Sequence, residues 1–303
     1  MTDLEIMGDD CGFPEGPIAC DDGSVIFCEV RGERISRLKK DGAKQLIAKI
    51  DGAPNGLAFG PDGALYCCNN GGFEWSTKPG ENIPIGTPKK YRGGSIDRIS
   101  LSTGKVERVY DSCGGVNLAG PNDIVFDSSG GFWFTDLGKE MGDHERHGGL
   151  YYAKADGTSI RRIAHGMGLN GVGLSPDGKT VYAAASFLRW ILAYEAGTNP
   201  PEQGAGPMSG KIVVHYPGRQ FLDSMAMEAD GTVAQAVVLE NAGISRANPQ
   251  TGEAITVTMP DFLTTNIAFG GTDMCTAYIT LSSTNKIGRM HWPAPGLRLA
   301  YNG

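Results

Sequence analysis

A segment of about twelve residues recurs six times along the chain, and this repeat restricts the possible folds more than any other feature. Three copies are very similar to one another: NGLAFGPDGALY, NDIVFDSSGGFWF and NGVGLSPDGKTVY. The six copies begin at Glu15, Asn55, Asn122, Asn170, Asp223 and Asn266. In each copy a polar residue opens an alternating apolar run, and a turn position follows seven residues later, before glycine in five of the six. A repeat of this kind predicts that every copy forms the same local structure.

Each copy predicts a β-hairpin, because a period-2 apolar run, a D-G turn and a second run rich in Val, Tyr, Phe and Trp follow in order. Two further strand-like runs follow each hairpin, for example RISRL and KQLIAKI after the first. The openings lie 40 to 67 residues apart. Six such units predict an all-β fold, a six-bladed β-propeller with four antiparallel strands per blade, as a single domain over residues 1–303.

Two other architectures fit the sequence less well. A solenoid would need a shorter and more uniform period. A doubly wound α/β fold would need helices, and 45 glycines and 17 prolines in 303 residues disfavour them.

Charge and hydropathy exclude several classes of partner. The formal net charge is -7 and the pI is about 5.3, so neither nucleic acid nor a membrane surface is a predicted partner. No run approaches the roughly 18 apolar residues of a membrane span, and the N-terminus MTDLEIMGDD is acidic, unlike a signal peptide. The seven cysteines lack C-x-x-C spacing, so reduced thiols are predicted. These features favour a soluble, cytoplasmic protein.

The residue that opens each repeat is predicted to lie at one mouth of the central channel, because the first strand of each propeller blade runs along the axis. The six openings would then bring carboxylate and amide oxygens into one small volume. Glu15 and Asp223 are the two acidic members, and they would repel each other there unless a cation lay between them. Oxygen ligands without Cys or His favour Ca²⁺ first, then Mg²⁺ or Mn²⁺, with Zn²⁺ as a remaining alternative.

Ordinary turn chemistry is the competing interpretation of these positions, since asparagine before glycine often satisfies backbone groups. It fits Asn55 and Asn266 best, and both would then only brace the channel. It fits Glu15 and Asp223 poorly, because a charge in a buried position needs compensation.

The ordered runs FPEGPIACDDGSVIF, GPNDIVFDSSGGFWF, LNGVGLSPDGKTVY and TNIAFGGTDMCTAYIT resemble the gluconolactonase, senescence-marker (regucalcin) and luciferin-regenerating-enzyme family. The resemblance spans nearly the whole chain. It implies a divalent cation held by Glu15, Asn170 and Asp223, with Asn122 as a fourth ligand or as a contact for substrate and water. It also implies that Asp223 is the catalytic acid/base of a lactonase.

Two departures from the family pattern affect the substrate more than the metal. Sugar lactonases usually have arginine two residues before the PND asparagine, where this chain has Gly120, so we expect extra room and a preference for less polar lactones. The fifth-blade motif, usually PDG-like, is LDSM in this chain.

Other polar and aromatic residues are candidates for substrate contact. Asn55 and Glu140 are assigned to substrate binding, the latter because relatives carry an acid near that place. Trp75 lies in a Gly/Pro-rich insertion, residues 71–94, that is long enough to be a lid. His144 and His147 lie in a charged loop, which indicates a solvated surface. The other candidate wall residues are more typical of packing between blades: Phe73, Trp133, Phe187 and Trp190.

A metal-dependent lactonase is therefore the leading functional prediction. A phosphotriesterase-like hydrolase, with Asp223 as nucleophile, and a non-catalytic calcium-binding propeller are the alternatives. A quinoprotein dehydrogenase would need basic residues near the repeat openings, and none occur there.

Overall fold

The computed structural model describes residues 3–301, and almost all of its regular structure is β-strand. Six antiparallel sheets, each with at least four strands, surround a central axis. The first strand of each sheet packs against the first strands of both neighbours, and the ring closes between the sixth sheet and the first. The predicted six-bladed β-propeller is confirmed. The one helical segment within residues 3–301 is a 3₁₀ turn at Gly206–Met208.

The blades are numbered in the order of their inner strands, and within each blade the strands follow one another from the axis outward. Blades 1 and 2 consist of Pro14–Ala19, Val25–Glu29, Arg34–Leu38 and Lys44–Lys49, then Pro54–Phe59, Leu65–Asn69, Ser95–Ile99 and Val106–Tyr110. Blades 3 and 4 consist of Pro121–Phe126, Gly131–Asp136, Gly149–Lys154 and Ile160–His165, then Leu169–Leu174, Thr180–Ala185, Trp190–Glu195 and Lys211–His215. Blades 5 and 6 consist of Gln220–Met227, Val233–Leu239, Gly243–Ala247 and Ala254–Thr258, then Thr264–Gly270, Thr276–Leu281, Lys286–His291 and Glu5–Gly8.

Four shorter elements lie outside this scheme. Gly204–Ala205 adds a parallel fifth strand to the outside of blade 3. Three two-stranded ribbons occupy loops: Glu74–Trp75 with Pro84–Gly86, Ser112–Cys113 with Val116–Asn117, and Lys139–Glu140 with Glu145–Arg146. Because inner strands begin, and second strands end, at the channel mouth, all three ribbons lie on the mouth face.

The hairpin turns form as the repeat predicts. Glycine follows the turn position with positive φ in five copies, for example 77° at Gly23 and 72° at Gly63. In the first copy the Asp22 carboxylate accepts a hydrogen bond from the Ser24 backbone N–H at 2.9 Å, which closes the turn from inside. The sixth copy lacks glycine, and Met274 adopts the left-handed conformation there instead, with φ 57°.

Blade 6 corrects the prediction of four consecutive strands in every unit. Within residues 3–301 the sixth repeat supplies three strands, and the fourth strand is Glu5–Gly8 from the start of the chain, paired antiparallel with Lys286–His291. Arg289 fixes this pairing, since its guanidinium donates to both carboxylate oxygens of Glu5 at 2.9 Å. The ends of the chain therefore close the ring, so opening it requires a non-local pair of strands to separate.

The end of the channel opposite the mouth is mainly apolar. Apolar residues of all six inner strands line a cavity of about 90 Å³ on the axis. The C-terminal segment crosses its far end, where the Leu297 N–H donates to the Met227 carbonyl at 2.7 Å. Among residues 3–301 no helix has the length and apolar character to span a bilayer; a cytoplasmic location stays a prediction from the sequence.

Candidate metal centre and active site

A β-bulge interrupts the inner strand of every blade beside the residue that opens the repeat. The register between first and second strands shifts between Glu15 and Ile18 in blade 1, and across the opening residue in blades 2 to 5. In blade 6 the shift lies just before the opening residue, between Thr264 and Asn266. A bulge breaks the alternation of side chains and bends the strand, which lets it direct a side chain toward the axis. The bulges therefore account for the predicted convergence of the repeat openings on the channel mouth.

Glu15 is held in a buried site on blade 1. Its side chain is 3% exposed. The same carboxylate oxygen accepts two hydrogen bonds, one from the Gly16 N–H and one from the Asn266 side-chain amide, both at 3.1 Å. Burial raises the pKa of Glu15, and hydrogen bonds from Thr265, Asn266 and Gly16 partly offset that rise. Asn266, predicted to brace the channel, thus orients the Glu15 carboxylate.

Asp223 lies at the equivalent position on blade 5 and is half-buried. Burial raises its pKa well above the ordinary value, and the negative charge of Glu15 adds to the rise. The Asn170 side-chain amide acts in the opposite direction. Asp223 therefore lies close enough to Glu15 and Asn170 to be affected by both, and the negative charge of Glu15 destabilises its ionised form.

Three buried oxygens on the inner strands of the neighbouring blades have no hydrogen-bond partner. They are Oδ1 of Asn122, Oδ1 of Asn170 and Oγ of Ser224, on the successive blades 3, 4 and 5. A buried acceptor without a donor costs on the order of 1–3 kcal/mol, so such a group in a native protein calls for a ligand, ion or water. Two carboxylates and two unpaired amide oxygens fit a hard divalent cation.

No three His, Cys, Asp or Glu side chains come together as a metal site within residues 3–301. The predicted set does not depend on such a cluster, because two of its four members are amides.

Asp123 is a further acid at the axis that the sequence analysis missed. It is 7% exposed, lines the channel, and accepts a hydrogen bond from the Ile124 N–H at 3.0 Å. Burial raises its pKa to about 7, and the Glu15 charge contributes to that rise. Strict alternation would have turned Asp123 away from the axis if Asn122 faces it, and the bulge is what allows both to be there. The sequence does contain a signal for this acid, because Asp123 places a carboxylate directly after the opening residue Asn122.

Asn55, assigned to substrate binding, is buried at 7% exposure on blade 2. Its backbone carbonyl lies 2.2 Å from the position that a Cβ at Gly16 would occupy, and Gly16 has a φ of 52°. Only glycine allows this approach of blades 1 and 2 directly after Glu15. The substrate role of the Asn55 side chain stays a prediction.

The insertion of residues 71–94 extends over the mouth face well beyond its own blade. Trp75 packs edge-on against Phe13 of blade 1, with ring centroids 5.1 Å apart. Asn82 donates to the Ser282 carbonyl of blade 6 at 2.8 Å, and the Tyr91 hydroxyl donates to the Ala119 carbonyl beside blade 3 at 2.5 Å. The insertion thus covers the sides of the mouth formed by blades 6, 1, 2 and 3, as a lid would.

A buried lysine anchors the insertion at its first residues. Lys139 is 5% exposed, and its ammonium donates to the Gly72 carbonyl at 2.6 Å and to the Asn70 side-chain oxygen. The Phe73 ring centroid lies 4.0 Å from the same nitrogen. Burial lowers the pKa of Lys139 to about 7, and the negative charge of Asp136 opposes that shift. Sequence reasoning chose the neighbouring Glu140, which is exposed, and its substrate role stays a prediction.

The remaining sequence candidates separate into surface and core. His144 and His147 are exposed, as predicted, and His144 contacts the Asp143 carboxylate at 2.8 Å. Trp133 is fully buried in packing between blades. Phe187 is 59% exposed on the mouth face, so its assignment to blade packing is wrong.

The room expected beside Gly120 does not exist. A Cβ at this position would lie 2.5 Å from the Gly138 carbonyl oxygen and 2.8 Å from the Asn70 side-chain nitrogen. Lys139 holds that same Asn70 side chain from the other side. The place that arginine takes in sugar-lactonase relatives is therefore closed by neighbouring groups.

We expect Gly120→Arg to lower the free energy of unfolding by roughly 1–3 kcal/mol, because overpacking a filled site displaces backbone as well as side chains. Denaturant unfolding of both proteins measures the difference. Gly86→Ala is the matched control, since a Cβ at Gly86 would have no atom within 4 Å. Equal stability of Gly120→Arg and the parent would mean that Asn70 and the Gly138 loop yield freely.

Comparison with known proteins adds to this geometry. The family model described as SMP-30/Gluconolactonase/LRE-like region matches residues 13–283. Lactonase drp35 of Staphylococcus saprophyticus is 27% identical to the chain over 221 residues, which are 71% of this chain and 60% of that protein. The matches span about three-fifths of the length of such curated relatives.

Solved structures agree in fold. A gluconolactonase from Xanthomonas campestris superposes with a TM-score of 0.73 at 18% identity, covering 96% of this chain and 89% of that one. The calcium-binding protein regucalcin from Agrobacterium tumefaciens superposes with a TM-score of 0.70 at 16% identity, covering 97% and 95%. At these identities the likeness concerns the propeller fold.

Proposed function

The chain belongs to the SMP-30/gluconolactonase/LRE-like family, and from this we propose that it is a hydrolase that opens lactones with the help of a divalent cation at the channel mouth. The observation that carries the proposal is the pair of axis acids, in which the Glu15 charge raises the pKa of Asp223. The unpaired oxygens of Asn122 and Asn170 lie on the blades between them. The relatives named lactonase and gluconolactonase support the same reaction class.

Glu15, Asn170 and Asp223 would hold the cation, with Asn122 as a fourth ligand or as a contact for substrate and water. Ca²⁺ is our first choice because all four donors are oxygen atoms and the site contains no Cys or His. When bound, the cation would supply Lewis-acid polarisation of the lactone carbonyl.

Asp223 is our candidate for the acid/base. It is half-buried, whereas Glu15 is almost fully enclosed and already accepts two hydrogen bonds. The Asp223 carboxylate would take a proton from the attacking water and return it to the ring oxygen as the C–O bond breaks.

Asn122 would position the substrate or the attacking water by hydrogen bonding, since its Oδ1 is buried and has no partner. Trp75 and the rest of the insertion would restrict access of bulk water from one side of the mouth.

The experiment that tests the proposal combines elemental analysis of the purified protein with a pH-indicator screen. The screen covers aldonolactones, simple γ- and δ-lactones, aromatic lactones and a phosphotriester. We expect about one divalent cation per chain and hydrolysis of at least one lactone class. Hydrolysis of the phosphotriester alone would favour the phosphotriesterase alternative, and metal binding without any hydrolysis would favour a calcium-binding propeller.

A further inference from the structure

The insertion of residues 71–94 contacts the segment that leads into Glu15. Trp75 packs edge-on against the Phe13 ring, with 5.1 Å between the ring centroids. Phe13 lies two residues before Glu15 and directly before Pro14–Ala19, the inner strand of blade 1. A contact that holds Phe13 therefore also acts on the start of the strand that carries this candidate metal ligand.

Phe13 has a backbone conformation that a bulky residue seldom takes. Its φ is 61°, in the left-handed region, and its side chain is 8% exposed. For a residue with a Cβ this region costs about 1–2 kcal/mol. Such a conformation persists only where the surrounding structure holds it. Its place just before Glu15 makes the groups that hold it relevant to the metal centre.

Asn285, on the turn between the second and third strands of blade 6, is one of these groups. Its Oδ1 accepts a hydrogen bond from the Phe13 N–H at 2.8 Å and another from the Asn82 side-chain amide at 2.7 Å. Asn82 belongs to the insertion and is 5% exposed. The insertion and the backbone of Phe13 therefore share one acceptor, and Asn82 helps to fix where that acceptor lies.

A second set of hydrogen bonds connects Asn82 to the same strand through Ser282. The Asn82 side-chain amide donates to the Ser282 carbonyl at 2.8 Å. The Ser282 hydroxyl donates to the Pro14 carbonyl at 2.7 Å. That carbonyl belongs to the peptide bond between Pro14 and Glu15. Both peptide units that precede Glu15 are thus held by blade 6 residues that contact Asn82.

Arg31 joins the two contacts of the insertion to each other. It lies on the turn after the second strand of blade 1, and its Cζ is 5.4 Å from the Trp75 ring centroid. Its guanidinium also donates to the Asn82 side-chain oxygen at 2.9 Å. We call Phe13, Arg31, Trp75, Asn82 and Asn285 the Phe13 clasp.

We propose that the Phe13 clasp positions Glu15 for the cation, so that the insertion is a positioning element of the metal centre as well as a cover for the mouth. The inference deepens the proposed function and rests on it, because it takes Glu15 as a ligand. Groups that orient a metal ligand contribute to affinity without touching the ion. Loss of the clasp should leave the Glu15 carboxylate in place but less firmly directed, and cation binding would then include the cost of ordering it.

Two variants of the clasp test this inference. Asn82→Ala removes both side-chain donors and the acceptor for Arg31 without adding a charge, and Trp75→Leu removes the ring contact with Phe13. We expect each to weaken Ca²⁺ binding at least about fivefold in calorimetric titrations, the low end for coupled sites. Ile85→Ser is the matched control, because Ile85 lies in the same insertion and is 60% exposed. Its Ca²⁺ affinity should equal that of the parent.

A double-mutant cycle distinguishes positioning through Phe13 from a general loss of stability. Trp75→Leu should weaken Ca²⁺ binding in the parent but have little further effect in a Phe13→Ala background, because its partner ring is already absent. Additive effects of the two substitutions would overturn the route through Phe13.

Amide hydrogen exchange of the cation-free proteins gives a readout that does not depend on the ion. The Gly16 N–H donates to the Glu15 carboxylate at 3.1 Å, so its exchange rate reports how firmly that carboxylate is held. Exchange at Gly16 should be faster in Asn82→Ala and in Trp75→Leu than in the parent and in Ile85→Ser.

The two readouts separate this inference from the proposed function. Parental Ca²⁺ affinity and parental exchange at Gly16 in both clasp variants would overturn the Phe13 clasp, even if the protein hydrolyses lactones. A parent protein that binds no cation would overturn the metal-dependent hydrolase. In that case faster exchange at Gly16 in the variants would still support the clasp as the element that holds Glu15, and unchanged exchange would overturn it.

Discussion

Asp223→Asn should lower kcat for lactone hydrolysis by about 10²- to 10⁴-fold at saturating metal, the usual contribution of a general acid/base. The amide keeps an oxygen of similar size and position for the cation but accepts no proton from water. The cation should therefore still bind, about 10- to 100-fold more weakly. Steady-state kinetics over a series of metal concentrations, together with a direct metal titration, separates the two effects.

Asn122→Ala is the matched comparison. It removes a buried oxygen without a partner but no titratable group, so it should act on positioning and leave a measurable residual rate. Near-parental kcat for Asp223→Asn at saturating metal would mean that this carboxylate is a ligand only. The base would then have to be another acid on the axis, and Asp123, with a pKa of about 7, would be tested first.

Exhaustive chelation should abolish hydrolysis and lower the melting temperature, and the second effect should depend on pH. In the folded chain without a cation, the pKa values of Glu15, Asp123 and Asp223 are all raised above their unfolded values. Between the unfolded and folded pKa values the folded state binds more protons, so its stability falls as pH rises through that range. For Asp123 alone the range extends from about 4 to about 7, which corresponds to a loss of roughly 4 kcal/mol at most.

The chelated protein should therefore melt several degrees lower at pH 8 than at pH 5.5, and added Ca²⁺ should restore more stability at pH 8. Thermal unfolding at both pH values, with and without the ion, measures the effect. Glu29→Gln is a useful control, because Glu29 is a buried carboxylate away from the axis that pairs with Arg34 at 2.6 Å. It should change stability without changing the response to Ca²⁺. Full activity after chelation, with no metal detectable by elemental analysis, would refute the metal model.

The repeat predicted the fold because it repeats a local rule: a D-G turn between alternating runs forms the same hairpin wherever it occurs. It also singled out Glu15 and Asp223, which open their repeats and whose charges interact in the folded chain. The rest depends on contacts that no local pattern encodes. The bulge that lets Asn122 and Asp123 both face the axis depends on the register between two strands. The closure of blade 6 by Glu5–Gly8 depends on pairing between the two ends of the chain.

The closed space beside Gly120 illustrates the same limit at a single position. A glycine in the sequence suggests a gap, but whether the gap is empty depends on residues far away along the chain. In this protein Asn70 from blade 2 fills it, and Lys139 holds Asn70 there. Likewise the exposure of Phe187 follows from the path of the insertion, which leaves blades 4 and 5 uncovered.

Because the bulge recurs in all six blades, each blade contributes one exchangeable side chain to the set of possible ligands at the axis. Every blade offers the same kind of slot at the axis, and the slots differ only in which side chain occupies them. The number of carboxylates at the centre, and with it the charge that a bound ion must balance, can be altered by single substitutions that leave the strands and turns untouched. Asn55 and Asn266 hold neutral side chains in two of these slots, and Asn266 donates to the Glu15 carboxylate, so an acid at position 266 would add a repulsion that a cation would have to offset. Selectivity among ions, and even the presence of an ion, can therefore diverge in this architecture without any change of fold.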